Sequence, residues 1–338
     1  MRQLPLYENP GFETECYHNL RLSILFSSQT TPPWFLSRFT NLTLLSNDSQ
    51  FPVIRFEDHL SCYTEVLDER GPDHSATSRL LEYIASEIDK GQYILIFLNW
   101  KYIEVSQYFG LKNLIHEALV YGYDKSKDEL YLAGFDVDGK KYGTFVLKSE
   151  ELLEAYNQAA DEHDRNRWLI PYGYPIASIA LQEEKLSCWD FRNLYFAFDK
   201  GRNEYAFHSP RTFVLGSNVA AFLAYYFEEI ATTVRVDPEE YVLWNINIHK
   251  LLIHNRVMIK RCEALHERLN HPLLDKAAAL YRKRNIEILN VKLLSYRYQK
   301  HNDGSLLSEI SNRFQRIYEQ EKRGIPLLME YLTILPAG

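Results

Sequence analysis

Cysteine is scarce in this sequence, and no two cysteines form a recognised motif. The chain of 338 residues has four cysteines, widely separated, with no CxxC pair and no zinc-ligand spacing. This pattern argues against a disulfide-stabilised secreted fold and against a metal site, and it favours free thiols in a reducing cytoplasm. The four are Cys16, Cys62, Cys188 and Cys262.

Long apolar runs and nucleotide-binding motifs are also missing. No run approaches the ~20 residues that span a bilayer, and the segment Met1–Glu8 lacks the apolar core of a secretory signal. We therefore expect a cytoplasmic protein with no membrane partner. Glycine-rich phosphate loops and the HExxH motif are absent, which argues against nucleotide-dependent and metalloprotease chemistry. The aromatic residues do not interleave with a basic patch, so we expect no nucleic-acid partner.

The charge of the chain is unevenly distributed. The net charge is −7. Residues 249–336 carry 16 Lys and Arg against 9 Asp and Glu, a net +7, and the remainder carries 22 against 36, a net −14. A basic C-terminal part can bind nucleic acid, a membrane or an acidic protein, although a solvated helical face is the preferred single explanation.

The chain is long enough for one large domain or two ordinary ones. We place a boundary after residue 165, between an α+β part (1–165) and a mostly α-helical part (166–338) that caps or extends the first. Residues 31–75 are polar with paired prolines, and we expect them to be irregular. The other predicted elements are helices at 76–90, 149–156, 218–230, 238–261, 272–294 and 306–323, and strands at 92–98, 116–123, 129–135, 143–147 and 176–181.

The most informative residue is Cys16, which opens the predicted helix Cys16–Phe26. A helix N-terminus lowers the pKa of a thiol and makes it a better nucleophile. A hundred positions later His116 begins one predicted strand, and Asp136 ends the next. A helix-opening cysteine, a histidine at the start of a strand and an acid at the end of the following strand have the chain order of a papain-like thiol site.

Other interpretations of these residues have to be weighed. A lone cysteine is most often a small buried hydrophobic residue. We expect Cys62 and Cys188 to be buried or idle thiols and Cys262 to be structural. His18 points about 200° away from Cys16 on the helix and is expected at its surface. Asp124 belongs to a turn and Asp138 begins a tight hairpin turn, so Asp136 is the preferred acid.

The segments around these residues resemble the C39-like branch of papain-fold proteins. In that branch a helix-opening cysteine is followed by a histidine, an apolar strand and Gly-Tyr-Asp, and then by a strand ending in aspartate. The matching segments here are Glu15–Tyr17, His116–Asp124 and Ala133–Asp136. With its long helical C-terminal half, the chain is similar to the butirosin biosynthesis protein H family, encoded near nonribosomal-peptide and related antibiotic pathways. The resemblance covers residues 10–160.

The resemblance implies a papain-like cysteine-protease fold, in which the helix carrying the cysteine packs on an antiparallel sheet carrying the histidine and the acid. It also implies an acyltransferase. Cys16 takes an acyl group from the phosphopantetheine arm of an acyl or peptidyl carrier protein and passes it to a small-molecule amine. His116 is then the general base and acid, Asp136 orients the imidazole, and no further cofactor is implied. A thioesterase or amidohydrolase of the same fold, and a non-catalytic module binding a carrier protein or peptide, remain alternatives.

The oxyanion hole departs from the family pattern. Papain-like sites have a glutamine about six residues before the cysteine as a donor to the oxyanion, and Pro10 occupies that position. Asn9 is the nearest amide and our oxyanion candidate. The alternative is a hole formed by the Cys16 backbone N–H and another loop.

The basic C-terminal part predicts a surface for the carrier protein. Carrier proteins are acidic helical bundles, and a positive surface would steer one toward the thiol. The residues expected to contribute most are Lys260, Arg261, Arg282, Lys283 and Arg284.

Overall fold

The computed structural model describes residues 1–29, 31–47, 50–72, 79–163, 175–203, 211–233 and 238–335. The chain divides into two compact units, each formed by two segments. Unit 1 comprises Met1–Pro32 and Leu60–Ser187, and unit 2 comprises Pro33–His59 and Cys188–Gly338.

The described residues form α-helices and antiparallel strands in both halves of the chain, so the fold is α+β with a helical C-terminal part. The strands are β1 (Arg2–Gln3), β2 (Leu42–Asn47), β3 (Gln50–Phe56), β4 (Leu67–Arg70), β5 (Tyr93–Asn99), β6 (Ile115–Asp124), β7 (Glu129–Val137), β8 (Lys140–Lys148), β9 (Ile176–Leu181) and β10 (Arg211–Leu215). The helices are α1 (Cys16–Ser28), α2 (Pro33–Leu36), α3 (Leu80–Asp89), α4 (Ser149–His163), α5 (Phe191–Arg202), α6 (Asn218–Thr233), α7 (Pro238–Arg268), α8 (Pro272–His301) and α9 (Ser305–Ile334).

Unit 1 is built on a seven-stranded antiparallel sheet. Its strand order is β4-β9-β5-β6-β7-β8, and β1 also pairs with β6. The central strand β5 is apolar and buried along its whole length, as its continuous apolar run predicts. The meander β6-β7-β8 places the start of β6 beside the end of β7, because antiparallel neighbours run in opposite directions.

The turn between β7 and β8 confirms the predicted hairpin. Val137 pairs with Lys140 across a two-residue turn. Asp138 and Gly139 both have positive φ, 48° and 71°. This is the geometry that a two-residue hairpin of right-handed twist requires, and Asp-Gly adopts it readily.

Helix α1 contacts β6 and β7 and is buried along most of its length. The buried positions include the polar residues His18, Asn19, Arg21 and Ser23, as well as Cys16. A surface helix of a soluble domain would expose such residues on one face. The polar side chains of α1 are instead enclosed within unit 1, where each requires hydrogen-bonding partners.

Unit 2 combines a small sheet with the helices of the C-terminal part. Strands β10, β2 and β3 form a three-stranded antiparallel sheet in that order. Asn247 of α7 makes two hydrogen bonds to the backbone of β3. Its Nδ2 donates to Pro52 O (2.6 Å), and its Oδ1 accepts from Ile54 N (3.0 Å). Leu194, Phe198, Met258, Leu265 and Leu328 are among the buried residues that join α5, α7, α8 and α9.

The two units do not follow the single boundary that we expected after residue 165. Residues 33–59 belong to unit 2 because the hairpin β2-β3 pairs with β10. Strand β9 belongs to unit 1 because it pairs with β4 and β5. Residues on both sides of the expected boundary therefore belong to the same unit.

We expected residues 31–75 to be irregular, which was wrong for the described residues of that segment, since they include α2, β2, β3 and β4. Pro33 is the first residue of α2, where its missing N–H costs no hydrogen bond. Pro52 lies in β3, which is an edge strand and so tolerates proline. The predicted helix 76–90 is observed as α3, and its residues 76–78 lie outside the described residues.

The four long helices of the C-terminal part are confirmed, and each extends further than predicted. Helix α8 begins at the N-cap residue His271, with Pro272 in its first turn, and ends at Asn302 in the left-handed conformation. In the part of the chain that the structure describes, no helix is both long and apolar enough to cross a membrane.

Candidate active site

Cys16 is the first residue of α1 and is buried, with 9% of its surface exposed. Its Sγ donates a hydrogen bond to the Glu13 carbonyl, with an Sγ–O distance of 3.8 Å. Glu15, which precedes the helix, does not cap it through its side chain. The thiol therefore points toward a backbone acceptor, and only the protonated thiol can donate this hydrogen bond.

The surroundings of Cys16 oppose ionisation of the thiol. Burial raises its pKa well above the ordinary value, and the negative charges of Glu117, Asp136 and Glu13 raise it further. A helix N-terminus was expected to lower this pKa, but desolvation and three nearby acids outweigh that effect. Cys16 is thus a neutral thiol at neutral pH.

His116 lies near the start of β6, opposite Leu98 of β5. Its ring packs on Phe135, with 4.0 Å between ring centroids. Its Nδ1–H donates to the Glu117 carbonyl at 3.4 Å, which leaves the lone pair on Nε2. Burial lowers the pKa of His116 to about 4, so the imidazole is neutral at neutral pH.

Asp136 lies near the end of β7 and has a positive φ of 50°. The side-chain donors of Gln107 and Tyr108 lie close enough to its carboxylate to affect its pKa. Burial raises the pKa of Asp136, and these two donors oppose the increase. Asp136 is close enough to Cys16 for its charge to raise the pKa of the thiol.

Cys16, His116 and Asp136 all lie in unit 1, on α1 and on the facing ends of two neighbouring strands. They are not linked as a hydrogen-bonded triad. Within the described residues, no hydrogen bond joins Cys16 to His116 or His116 to Asp136; Cys16 and His116 each bond to a backbone carbonyl instead. The structure thus places the three residues in one unit without joining them by hydrogen bonds.

A buried ionic cluster adjoins the thiol, and the sequence did not reveal it. Arg21 of α1 binds Glu69 with two hydrogen bonds, Nε–Oε1 2.6 Å and Nη2–Oε2 2.9 Å, and its Nη1 donates to Tyr17 O at 2.8 Å. Glu117 of β6 lies 3.9 Å from Nη1 of Arg21. Burial raises the pKa of Glu117 to about 7, Arg21 opposes this and Glu69 adds to it.

Two buried hydrogen-bonding side chains also lie near Cys16. Asn19 follows Cys16 by three residues and so lies on the same face of α1; its Oδ1 accepts from Phe12 N at 2.7 Å. Its Nδ2 is buried near the Tyr142 hydroxyl but makes no hydrogen bond of good geometry. Burial raises the pKa of Tyr142, and the nearby Asn19 side chain partly opposes that rise. The Tyr142 hydroxyl lies 3.4 Å from Ser23 Oγ, and the charge of Cys16 further raises its pKa.

Asn9, the oxyanion candidate from the sequence, is exposed. Its Nδ2 donates to Glu13 Oε1 at 2.9 Å, and its Oδ1 accepts from Gly11 N at 2.9 Å. Asn9 thus holds the loop before α1, and its amide is already bonded to Glu13. The helical spacing between Cys16 and Asn19 was the signal in the sequence that pointed to a nearer amide.

We expected His18 at the helix surface, but it is fully buried. Its Nδ1 lies 2.9 Å from the Tyr63 hydroxyl, and its Nε2 lies 3.6 Å from Glu15 Oε2. Among the other cysteines, Cys188 is exposed, Cys62 is partly buried and Cys262 is buried in α7. Burial raises the pKa of Cys262 to about 12, in agreement with a structural role.

Two of the five basic residues proposed to bind a carrier are wrong for that role. Arg261 and Arg284 are buried in unit 2, with 0% and 1% of their surface exposed. Arg261 donates to the carbonyls of Leu36 (2.7 Å) and Arg38 (2.6 Å), and Arg284 pairs with Glu321 at 3.0 Å. Guanidinium groups bonded inside the unit cannot meet a partner. The exposed residues of the set are Lys260, Arg282 and Lys283.

Among the described residues, no group of three or more His, Cys, Asp or Glu side chains is arranged to hold a metal ion. Comparison of the chain with protein-family models gives no match, and comparison with curated proteins gives none either. The functional assignment therefore depends on the residues of unit 1 described above.

Proposed function

We propose that unit 1 is a papain-like thiol domain and that the protein is a cysteine-dependent acyltransferase of natural-product biosynthesis. Cys16 takes an acyl group from a carrier-protein thioester and passes it to an amine. The observation that carries the proposal is the position of Cys16, at the start of a buried helix that contacts the two strands bearing His116 and Asp136. Asp136 is also near enough to change the pKa of the thiol.

The protonation states favour a general-base mechanism over a preformed ion pair. The raised pKa of Cys16 and the lowered pKa of His116, about 4, leave a neutral thiol and a neutral imidazole at rest. A thiolate–imidazolium pair requires the opposite order of the two pKa values. The thiol proton must therefore leave as the sulfur attacks, and Nε2 of His116 is the acceptor because Nδ1 carries a proton.

The reaction then proceeds in two steps. In the first, the Cys16 sulfur bonds to the thioester carbonyl carbon, its proton moves to Nε2 of His116, and the expelled phosphopantetheine thiolate takes that proton. In the second, an amine attacks the acyl-Cys16 carbonyl, and its proton passes through His116 to the departing Cys16 sulfur. Asn19 and Tyr142 provide buried donors for the oxyanion that forms in each step.

Hydrolysis is the competing outcome of the same intermediate. A thioesterase or amidohydrolase would use water in the second step, and every other group would keep its role. Burial of Cys16 and Tyr142 favours transfer, because a site that excludes water protects the acyl-enzyme until an amine arrives. The products distinguish the two: an amide for transfer and a free acid for hydrolysis.

A second candidate function is favoured by the hydrogen bonds of the resting site. His116 bonds to a backbone carbonyl and makes no hydrogen bond to Asp136, so the acid does not orient the imidazole. Three acids also disfavour the Cys16 thiolate. These features suit a papain-fold module that binds a carrier protein or peptide without chemistry.

Mass spectrometry of the intact protein distinguishes the candidates. We expect incubation with a small soluble acyl thioester to add one acyl mass at Cys16, and addition of a primary amine to remove it as an amide. Replacing Cys16 with alanine should abolish the adduct, and replacing His116 with alanine should slow its formation about 10²–10⁴-fold. The exposed Cys188 provides the matched control, since Cys188→Ala should leave the adduct unchanged. Equal labelling of Cys16 and Cys188 would leave the binding module as the function.

A further inference from the structure

An apolar stripe of unit 2 lies uncovered on α8. Four large hydrophobic side chains of this helix are exposed, by 57%, 45%, 59% and 50% for Ile286, Leu289, Leu293 and Tyr296. The opposite face of α8 is buried in the unit, with Ile288, Val291 and Leu294 among its residues. A contiguous row of exposed apolar side chains is unusual on a soluble protein and marks an interaction surface.

The spacing of the stripe matches a helix–helix seam. The four residues are separated by three, four and three positions, the alternation that a and d residues of a coiled coil follow. They extend over about 15 Å of helix axis. The row is one residue wide, whereas a helix that lies on a membrane needs a broad apolar face. The geometry of this surface fits one partner helix.

The charges that flank the stripe are basic. Lys283, Lys292 and Arg297 occupy the flanking positions on either side, where coiled coils carry the charges that select partners. The side chain of Lys292 lies over the Tyr296 ring, 6.0 Å from its centroid. Positive charge therefore borders the apolar row along its length.

The acidic residue beside the stripe is already paired. Glu287 of α8 is bonded to Arg313 of α9 at 3.0 Å and lies 3.9 Å from Arg316. Helix α8 carries one other acid, Asp275, in its first turn, remote from the stripe. An approaching helix thus meets positive charge on both flanks.

We propose that the stripe Ile286–Leu289–Leu293–Tyr296 is a docking surface for an amphipathic helix of an acidic partner protein. Apolar residues of the partner pack between these four side chains, and its flanking carboxylates meet Lys283, Lys292 and Arg297. A second copy of this chain is a poorer occupant, because pairing two α8 helices would bring basic flanks together. The surface lies in unit 2 and does not involve Cys16, so a chain with Cys16→Ala retains it.

Two designed peptides test the charge preference. Each is about three heptads long, with leucine at the a and d positions. One peptide carries glutamate at its e and g positions, and the other carries lysine there. Fluorescence anisotropy with the full chain should show binding of the glutamate peptide that weakens with salt, and binding of the lysine peptide at least about tenfold weaker. The double variant Lys283→Glu/Lys292→Glu should lose this preference. Equal binding of both peptides to the wild-type chain, or no binding of either, would overturn the proposal.

A matched pair of double variants tests the location. Leu289→Ser/Leu293→Ser should weaken binding of the glutamate peptide more than about tenfold, since two large apolar contacts are removed. Val242→Ser/Leu243→Ser removes two residues of similar exposure (60% and 40%) from α7 and should leave binding unchanged. Equal losses in both would refute the assignment.

Sedimentation and binding to lipid vesicles test the two other possible occupants of the stripe, a second copy of the chain and a membrane surface. The wild-type chain alone and the Leu289→Ser/Leu293→Ser variant should sediment as the same species. A dimer that this variant dissociates would assign the stripe to a second copy and overturn the proposal. Stripe-dependent binding to anionic phosphatidylserine vesicles, without binding of the glutamate peptide, would also overturn it.

Discussion

Replacing Glu117 with glutamine should change how the stability of unit 1 depends on pH. Glu117 is buried on β6, 3.9 Å from Arg21, while Arg21 is held by two hydrogen bonds to Glu69. Glutamine has nearly the same size and cannot ionise. Because Glu69 remains as the partner of Arg21, the substitution removes a titrating group without leaving the guanidinium unpaired.

The size of the effect follows from the pKa of Glu117, which burial raises from 4.5 to about 7. A raised carboxyl pKa means that the folded protein holds this proton better than the unfolded chain. The resulting stability is complete below about pH 4.5 and is lost as the pH rises through about 7. Over that interval, at about 1.4 kcal/mol for each pH unit, the wild-type protein loses about 3 kcal/mol that the glutamine variant does not lose.

Native-state hydrogen exchange of the β6 amides measures this difference in unit 1 alone. With rates corrected for intrinsic exchange, the free-energy curves of wild type and Glu117→Gln should diverge between about pH 4.5 and about pH 7, the variant becoming relatively more stable at high pH. Glu129, a carboxylate of β7 paired with Lys148 at 3.1 Å, provides the control for the loss of one carboxylate from the sheet, and Glu117→Gln should show the larger divergence. Parallel curves for Glu117→Gln would refute the reasoning, because Glu117 would then not titrate in this interval.

Two further predictions concern the thiol and the sheet. The charge of Glu117 raises the pKa of Cys16, so Glu117→Gln should accelerate alkylation of Cys16 by iodoacetamide at about pH 8. Peptide mass spectrometry measures the rate, with an external thiol as reference. An unchanged rate would contradict the proximity of Glu117 to Cys16. Gly134 and Gly143 face each other across β7 and β8, but a Cβ at Gly134 would lie 2.5 Å from Trp100 Cη2, whereas one at Gly143 would meet a flexible lysine at 3.6 Å. Gly134→Ala should therefore lower the free energy of unfolding by about 1–3 kcal/mol in thermal melts and Gly143→Ala by less than about 0.5 kcal/mol, and equal losses would disprove the predicted clash.

The elements that could be predicted from the sequence are those whose apolar residues have a clear period. The helices α6 to α9 have such patterns over many residues. Strand β5 was instead predicted from its continuous apolar run, and the Asp138-Gly139 turn is a strong local signal. The hairpin β2-β3 was missed because Pro52 and the polar residues around it are typical of loops. Its strand character depends on β10, more than 150 positions later, and no local pattern reports such a partner.

The buried polar residues were the part of the candidate site that could not be predicted. His18, Arg21 and Glu117 are polar or charged residue types that a single element usually turns toward solvent. They are buried because α1 is covered on its polar side as well, and each finds its partner on another element, such as Tyr63 or Glu69. Partners distant in sequence decide whether a polar side chain can be buried.

The exchange of segments between the two units affects how the chain can be divided and how it folds. The backbone passes from one unit to the other after residues 32, 59 and 187. A cut after residue 165, where a one-boundary view would separate two domains, would leave the β2-β3 hairpin without β10 and remove β9 from between β4 and β5. Each fragment would expose an unpaired strand edge, the kind of surface on which chains aggregate. During synthesis, too, α1 must wait for β6 and β7, which begin 99 and 113 residues after Cys16, and contacts of such long range slow folding.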